Sequence, residues 1–163
     1  MKTKSSTKER PDSERGYSFA ELLIVIALIG LFVLFGGPAL ADGFKAYKIR
    51  SVANNLAIDL RALRYNAVAN RAPFTMTINN LTNAAPNQYS YNNVKGDAIT
   101  IRLDGVDIET TSAASVTFNI NGSTGATGNQ TVSVSRNINS TRNDRYTITV
   151  TPSGTISSAY STF

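Results

Sequence analysis

The chain has 163 residues, with 16 Lys and Arg against 11 Asp and Glu, and it contains neither cysteine nor histidine. These two absences exclude disulfides, thiolate or imidazole metal sites, Ser-His-Asp triads and Cys-His pairs, so we expect no enzyme, no cofactor and no metal centre. From residue 17 onward, 11 Lys and Arg face 8 Asp and Glu, and this net charge of +3 is too small to indicate nucleic-acid binding by itself.

The chain begins with a charged segment followed by an apolar one. In residues 1–16, five Lys and Arg outnumber three Asp and Glu, and in the 22 residues 19–40 only Glu21 is charged. As a helix this segment would reach about 33 Å, enough to cross a bilayer core of about 30 Å. The positive excess before it predicts a cytoplasmic N-terminus and an exported C-terminus. A carboxylate in such a segment is costly unless it is neutralised, which makes Glu21 a candidate functional residue.

Two simple interpretations of this segment stay open. In the first, it is a plain membrane anchor and Glu21 merely lies near the interface. In the second, it is a secretory signal peptide, because Ala39-Leu40-Ala41 forms a small-residue cleavage site before Asp42. The apolar part of a signal peptide normally runs about 7–15 residues, whereas this one is longer and contains an acid.

Residues 42–72 predict an amphipathic continuation of the helix. Gly36, Gly37 and Pro38 should loosen or kink it, because Pro removes a backbone hydrogen bond and Gly lowers helix propensity. Before Pro73, apolar residues recur at three- and four-residue steps and form a stripe, which predicts a buried face of the helix. The stripe consists of Ile49, Val52, Ala53, Leu56, Leu60, Leu63 and Ala67. The opposite side carries three apolar residues, which are either incidentally exposed or meet neighbouring helices: Tyr47, Ile58 and Tyr65.

Alternating apolar residues after Pro73 predict a β domain over residues 73–163. Strands are expected at 74–78, 99–103, 115–120, 131–134 and 146–150, and loops at 79–97, 121–130 and 136–145. Asp104-Gly105 lies between two apolar runs, 101–103 and 106–108, and predicts a hairpin. The fold class is therefore α+β, with a long N-terminal helix packed against a C-terminal antiparallel sheet.

Two charged clusters in this domain have a simple and a functional interpretation. The acidic cluster consists of Asp104, Asp107 and Glu109. These residues could be calcium ligands, although their positions are explained more simply if one is a turn Asp and the others are solvent-facing acids on a strand. The basic cluster consists of Arg136, Arg142 and Arg145. These residues could contact phosphates, although a solvated loop is the favoured interpretation because no aromatic stacking surface accompanies them.

The N-terminal run resembles a known export signal. Arg15-Gly16-Tyr17-Ser18-Phe19-Ala20-Glu21-Leu22-Leu23-Ile24-Val25-Ile26-Ala27 resembles the class III signal of type IV pilins and of the pseudopilins of type II secretion. The resemblance implies that a prepilin peptidase cuts between Gly16 and Tyr17 and that Tyr17 becomes N-methylated. It also implies that Glu21 meets the freed amine of a neighbouring subunit and sets the register of assembly.

The rest of the chain resembles one branch of that family, the H-type minor pseudopilins and the FimT/FimU minor pilins. The matching features are the helix at 60–67, the strand and glycine turn at 116–122 and the late hairpin at 148–156. Many relatives have Arg after the last glycine, where this chain has Thr155, which argues against DNA binding. The resemblance implies a type IV pilin-like fold divided into a cleaved leader (1–16), a transmembrane and filament-core helix (17–41), an amphipathic helix (42–72) and a periplasmic sheet domain (73–163).

The function implied is that of a structural subunit, a minor pseudopilin of a type II secretion pseudopilus that supports protein secretion. The alternative is a minor pilin of a type IV pilus, acting in assembly priming, adhesion or twitching, and the third possibility is a DNA-uptake pilin. The implied partners are prepilin peptidase, other pseudopilins or pilins and an inner-membrane assembly platform. The implied location is the bacterial inner membrane, spanned once with the C-terminal domain in the periplasm, or an extracytoplasmic filament.

Overall fold

The computed structural model describes residues 18–80 and 87–163, apart from the side chains of Phe35 and Pro38. The chain divides into two compact units, Met1–Ala39 and Leu40–Phe163, and one helix, α1 (Phe19–Asn70), contributes to both.

The helix α1 ends at Asn70, two residues before its predicted end at Ala72. Arg71 adopts a left-handed conformation with φ 51°, and the Ala72 N–H donates to the Ala67 carbonyl oxygen at 3.3 Å. This is the hydrogen bond of a Schellman motif, which satisfies a carbonyl group left over at the helix end. Pro73 then disfavours the helical conformation at Ala72, so the chain leaves the helix and enters the first strand.

The described part of the first unit is helix with an apolar surface. The Ser18 carbonyl oxygen accepts the backbone N–H groups of Glu21 and Leu22, at 2.9 and 3.2 Å, and so starts the helix. In residues 18–80 and 87–163, no single helix is long and apolar enough to span a membrane. Two consecutive segments, Phe19–Leu34 and Ala39–Asn70, reach the required length and hydropathy only together.

The second unit contains eight strands in two antiparallel sheets. The strands are β1 (Phe74–Asn79), β2 (Gln88–Asn92), β3 (Ala98–Arg102), β4 (Asp107–Ile108), β5 (Ser115–Phe118), β6 (Gln130–Asn139), β7 (Arg142–Val150) and β8 (Ile156–Thr162). The first sheet has the order β3-β2-β1-β5 and the second the order β4-β6-β7-β8. The predicted α+β class is confirmed, while the β part consists of two sheets where one was expected.

Two segments that were predicted as loops are strands. β2 lies inside the predicted loop 79–97, and its two tyrosines face the same side, with Tyr89 fully buried. The predicted loop 136–145 is the end of a long hairpin, because β6 and β7 stay paired as far as Asn139 and Arg142. Polar residues at both sites concealed the strands, because pairing across the sheet supplies backbone hydrogen bonds whatever the side chains are.

The hairpin predicted at Asp104-Gly105 is wrong. These residues form a turn, in which the Val106 N–H donates to the Leu103 carbonyl oxygen at 3.2 Å. The strands on its two sides belong to different sheets, since β3 pairs with β2 and β4 pairs with β6. Leu103 and Val106 are both buried and anchor the two ends of the turn, whose central residues are exposed, so the chain passes at the surface from one sheet to the other.

The core lies between the second half of α1 and the two sheets. The predicted apolar stripe of the helix is confirmed as its buried face, with Val52 partly buried. The strands contribute the other buried apolar residues, among them Met76, Ile78, Tyr89, Ile108, Val116, Phe118, Val132, Val134, Ile148 and Val150. At about 25 cal/mol per Å² of buried apolar surface, this contact between helix and sheets is the main stabilising term of the domain.

Candidate functional site

The candidate residue at the start of α1 is Glu21. Gly16 and Tyr17, between which cleavage is predicted, lie outside the described residues. Glu21 is in the first turn of α1, where unpaired backbone N–H groups favour a negative charge. Its side chain is exposed, and it forms no ion pair with any residue that the structure describes.

The helix around Glu21 is apolar on all sides. The exposed fractions of its large apolar side chains run from 49% at Val25 to 80% at Phe32. Monomeric soluble proteins rarely expose a continuous apolar surface of this length, which indicates that lipid or other helices cover it.

The candidate helix break, Gly36, Gly37 and Pro38, lies inside α1, whose assigned bounds run through it from Phe19 to Asn70. A methyl group added at Gly36 or Gly37 would meet no atom within 4 Å. The break itself stays a prediction.

Within the second unit, the tip of the β6–β7 hairpin is tied to α1. The Lys45 ammonium donates to the Ile138 carbonyl oxygen at 2.6 Å and lies 3.7 Å from the Asp42 carboxylate. Asn139 donates to the same carboxylate at 3.0 Å through its side-chain amide. These contacts fix the hairpin over the first turns of the helix in this unit.

Arg64 holds two turns of the domain together. Its Nε donates to the Gly122 carbonyl oxygen at 3.1 Å and its Nη2 to the Ser153 carbonyl oxygen at 3.2 Å. The two turns also touch directly, because the Thr124 N–H donates to the Pro152 carbonyl oxygen at 3.0 Å. This contact of Arg64 with two turns was not predicted from the sequence, because Gly122 and Ser153 lie 58 and 89 residues away from it in the chain.

A buried tyrosine connects the first sheet to the helix. The Tyr89 hydroxyl donates to the Asp59 carboxylate at 2.7 Å. Burial, followed by this hydrogen bond to a carboxylate, raises the pKa of Tyr89 above its ordinary value of 10.0, because both disfavour the phenolate. Tyr91 stacks on Tyr89 with ring centroids 6.5 Å apart, and burial, followed by the negative charge of Asp59, raises the pKa of Tyr91 as well. The alternation of Tyr89 and Tyr91 is the signal from which this strand could have been found.

The charged clusters of the sequence are mostly paired within the domain. Arg142 binds the buried Asp144 carboxylate through Nε and Nη2, at 2.6 and 2.8 Å. The pKa of Arg142 is raised by this pair and by a hydrogen bond to Tyr160. Arg145 lies 2.6 Å from Glu109 and over the Phe163 ring, 4.1 Å from its centroid.

The three acids proposed as calcium ligands do not converge. Asp107 accepts a hydrogen bond from Asn87 at 2.9 Å, and Glu109 is paired with Arg145. In residues 18–80 and 87–163, no group of three or more acids forms a potential metal site. The third arginine of the basic cluster, Arg136, packs its guanidinium against Gly105. Of the three arginines, Arg142 and Arg145 are thus paired with acids inside the domain.

Comparisons with known proteins agree with this architecture. No family model matches the chain. A segment of 59 residues, 36% of this chain, is 39% identical to Type II secretion system protein H of Xanthomonas campestris pv. campestris. That segment spans only about a third, 35%, of the length of that curated relative.

The fold is similar to two crystal structures of the type IV minor pilin FimU of Pseudomonas aeruginosa (strain PAO1). One has a TM-score of 0.53 at 15% identity and covers 69% of this chain and 88% of the pilin. The other has a TM-score of 0.51 at 16% identity and covers 68% of this chain and 91% of the pilin. The resemblance inferred from the sequence, to pilin-like proteins of the H-type and FimT/FimU kind, is thereby confirmed: the chain has a type IV pilin-like fold, and one of its segments is similar to a type II secretion system protein H.

Proposed function

We propose that the chain is a minor pseudopilin, a structural subunit of a type II secretion pseudopilus. The observation that carries this proposal is the combination of a pilin fold with an exposed apolar helix whose first turn holds one carboxylate, Glu21. The segment similar to Type II secretion system protein H favours secretion over other pilin systems. Residues 17–41 anchor the subunit in the inner membrane, and the domain from residue 73 onward lies in the periplasm.

The chemistry of assembly follows from the residue types. Cleavage between Gly16 and Tyr17 creates a cationic amine beside an apolar helix, and Glu21 is the first acid of the chain that remains. An ion pair between Glu21 of one subunit and the amine of its neighbour is strong at low dielectric, but the desolvation of both charges offsets much of its energy. Such a pair is therefore better suited to fixing axial register than to adding stability. Prepilin peptidase, other pseudopilins and an inner-membrane assembly platform are the partners that this route requires.

A second function, that of a minor pilin in a type IV pilus, is favoured by the fold, because the similar crystal structures are of the type IV minor pilin FimU. Such a subunit would prime fibre assembly for adhesion or twitching. A DNA-uptake pilin ranks third, because two of the three candidate phosphate-binding arginines, Arg142 and Arg145, are paired with acids. Complementation of a deletion strain separates the first two: restored secretion of an exported enzyme supports the pseudopilin, and restored twitching with unchanged secretion supports the pilin.

The N-terminal mass of the membrane-extracted protein tests the processing step. The proposal requires a chain that begins with N-methylated Tyr17. A chain that begins at Asp42 would instead identify a signal peptide, and an intact Met1 would identify a plain anchor.

The role of Glu21 is tested by substitution in cells that assemble filaments. Glu21→Leu should greatly reduce incorporation into sheared filaments, because the neighbouring amine loses its counter-charge. Ile24→Leu is the matched control, since it lies on the same exposed apolar helix and keeps its hydrophobicity. Equal incorporation of both variants would show that Glu21 does not set register.

A further inference from the structure

Within residues 18–80 and 87–163, no strand pairs with the outer edge of β8 in the second sheet. Its seven residues, Ile156–Thr162, contain no charge, no Pro and no Gly, and each pairs with β7 in an uninterrupted register. Proteins normally protect an edge strand with charges, Pro or a bulge, because its unpaired backbone groups otherwise bind another strand. An unprotected edge of this length is therefore a candidate site for strand addition.

The hydrogen bonds of the sheet identify which groups of β8 are unpaired. Asn143 and Phe163 exchange both of their backbone hydrogen bonds, at 2.9 and 3.0 Å. Because bonded and non-bonded pairs alternate along an antiparallel ladder, Ser161, Ala159 and Ser157 bond to β7 in the same way. The residues between them direct their backbone N–H and C=O groups to the open edge: Ile156, Ser158, Tyr160 and Thr162.

A groove lies beside this edge, within the second unit. It encloses about 320 Å³ between α1, which contributes Ala46, Tyr47 and Arg50, and the second sheet, which contributes Arg142, Asp144, Tyr146 and Tyr160. Tyr160 is 48% exposed and Tyr47 73% exposed. Since Ser158 and Thr162 are on the same face of β8 as Tyr160, a strand added at the edge would direct every second side chain toward this groove.

The charge of the groove is positive. The Asp144 carboxylate is already satisfied, by Arg142 and by the Tyr160 hydroxyl at 3.1 Å. Arg50 is exposed and forms no ion pair with the residues described. The groove thus offers one uncompensated guanidinium beside tyrosine rings, a combination that suits a carboxylate flanked by apolar atoms.

We propose that the β8 edge binds an extended segment of a partner protein, with an acidic side chain of that segment placed against Arg50. A second copy of the chain fits less well, because its own β8 carries no acid and would bring a second Arg50 to the site. This inference goes beyond the proposed function, since a strand site in the β domain does not depend on assembly through the N-terminal helix.

The test uses the full chain in detergent micelles and a fluorescein-labelled peptide, Thr-Glu-Thr-Val-Thr-Glu-Thr, read by fluorescence anisotropy. The peptide should bind at least about fivefold more tightly than its Gln-for-Glu counterpart, because only the carboxylates pair with Arg50. Arg50→Gln should abolish this preference. Equal binding of the two peptides to the wild-type chain would contradict the role of Arg50.

Ser158→Pro tests the edge itself. It removes an N–H that points to the open edge and leaves the bonds to β7 in place, a position at which Pro is tolerated. It should weaken peptide binding about tenfold, whereas Ser158→Ala should leave it unchanged. A peptide N-methylated at alternate residues should bind the wild-type chain about tenfold more weakly, which tests the same bonds without altering the protein.

Three results would overturn the proposal: no binding of the acidic peptide, binding that neither Ser158→Pro nor N-methylation weakens, or a wild-type dimer in micelles that Ser158→Pro dissociates. The last result would assign the edge to a second copy. All three leave the N-terminal mass unaffected, so a failure here is distinct from a failure of the proposed function.

Discussion

Gly154→Ala should destabilise the β domain because two turns meet at this glycine. Gly154 has φ +83°, and a methyl group placed on it would overlap the Gly122 carbonyl oxygen. The same methyl group would lie 2.9 Å from Arg64 Nε, which donates to that oxygen. Neither neighbour can move freely, because one is backbone and the other is held between the two turns.

The expected cost has three parts. The left-handed backbone conformation costs a residue with a Cβ about 1–2 kcal/mol. The overlap adds about 1–3 kcal/mol for displaced backbone, and loss of the Arg64 bond adds about 1 kcal/mol. Gly96→Ala is the matched control, since Gly96 has φ +89° but nothing within 4 Å of an added methyl group. Gly154→Ala should therefore cost at least about 2 kcal/mol more than Gly96→Ala.

Urea unfolding in detergent micelles measures both variants. The chain has seven Tyr and no Trp, so tyrosine fluorescence reports mainly on the β domain and the helix beside it. Four of the tyrosines lie in strands and two, Tyr47 and Tyr65, lie on the helix. Equal free energies of unfolding for the two variants would refute the close approach of the turns. A large loss in Gly96→Ala alone would refute it as well.

Two further predictions concern Tyr89. Tyr89→Phe should lower the free energy of unfolding by about 1.5–3 kcal/mol, because the Asp59 carboxylate loses a hydrogen bond inside the domain. Urea unfolding at neutral pH measures this loss. An unchanged midpoint of unfolding would contradict the prediction. The pKa of Tyr89 is raised in the folded state, so its contribution to stability is complete below its ordinary value of 10.0 and is lost as the pH rises above it. Wild type should accordingly lose stability more steeply than Tyr89→Phe between about pH 10 and 11, and parallel curves would show that this hydroxyl does not ionise on unfolding.

The helical half of the molecule was predictable because its signals are local. The stripe from Ile49 to Ala67 follows from three- and four-residue spacing, and all of its residues are buried in the structure except Val52, which is partly buried. The exposure of Tyr47, Ile58 and Tyr65 on the opposite side is confirmed in the same way. The single acid in the apolar N-terminal helix was likewise visible in the sequence, since no neighbour is needed to recognise a charge among apolar residues.

The arrangement of strands was decided by tertiary structure. Asp104-Gly105 has the local chemistry of a hairpin, yet burial of Leu103 and Val106 carries the chain from one sheet to the other. β2 is polar in sequence, and it becomes a central strand because β1 and β3 pair with it on its two sides. Asp59 also accepts a hydrogen bond from Tyr89, the buried tyrosine of β2.

The amino-acid sequence by itself therefore determined the helix, its two faces, the α+β class and the resemblance to pilins, because helical periodicity and an apolar run are properties of neighbouring residues. Only the tertiary structure decided which strands pair, that Arg64 joins two turns, and that β8 is left open beside a groove. Those features depend on residues that are far apart in the chain, such as Arg64 and Ser153, and they arise because backbone groups and buried charges need partners wherever the fold can supply them.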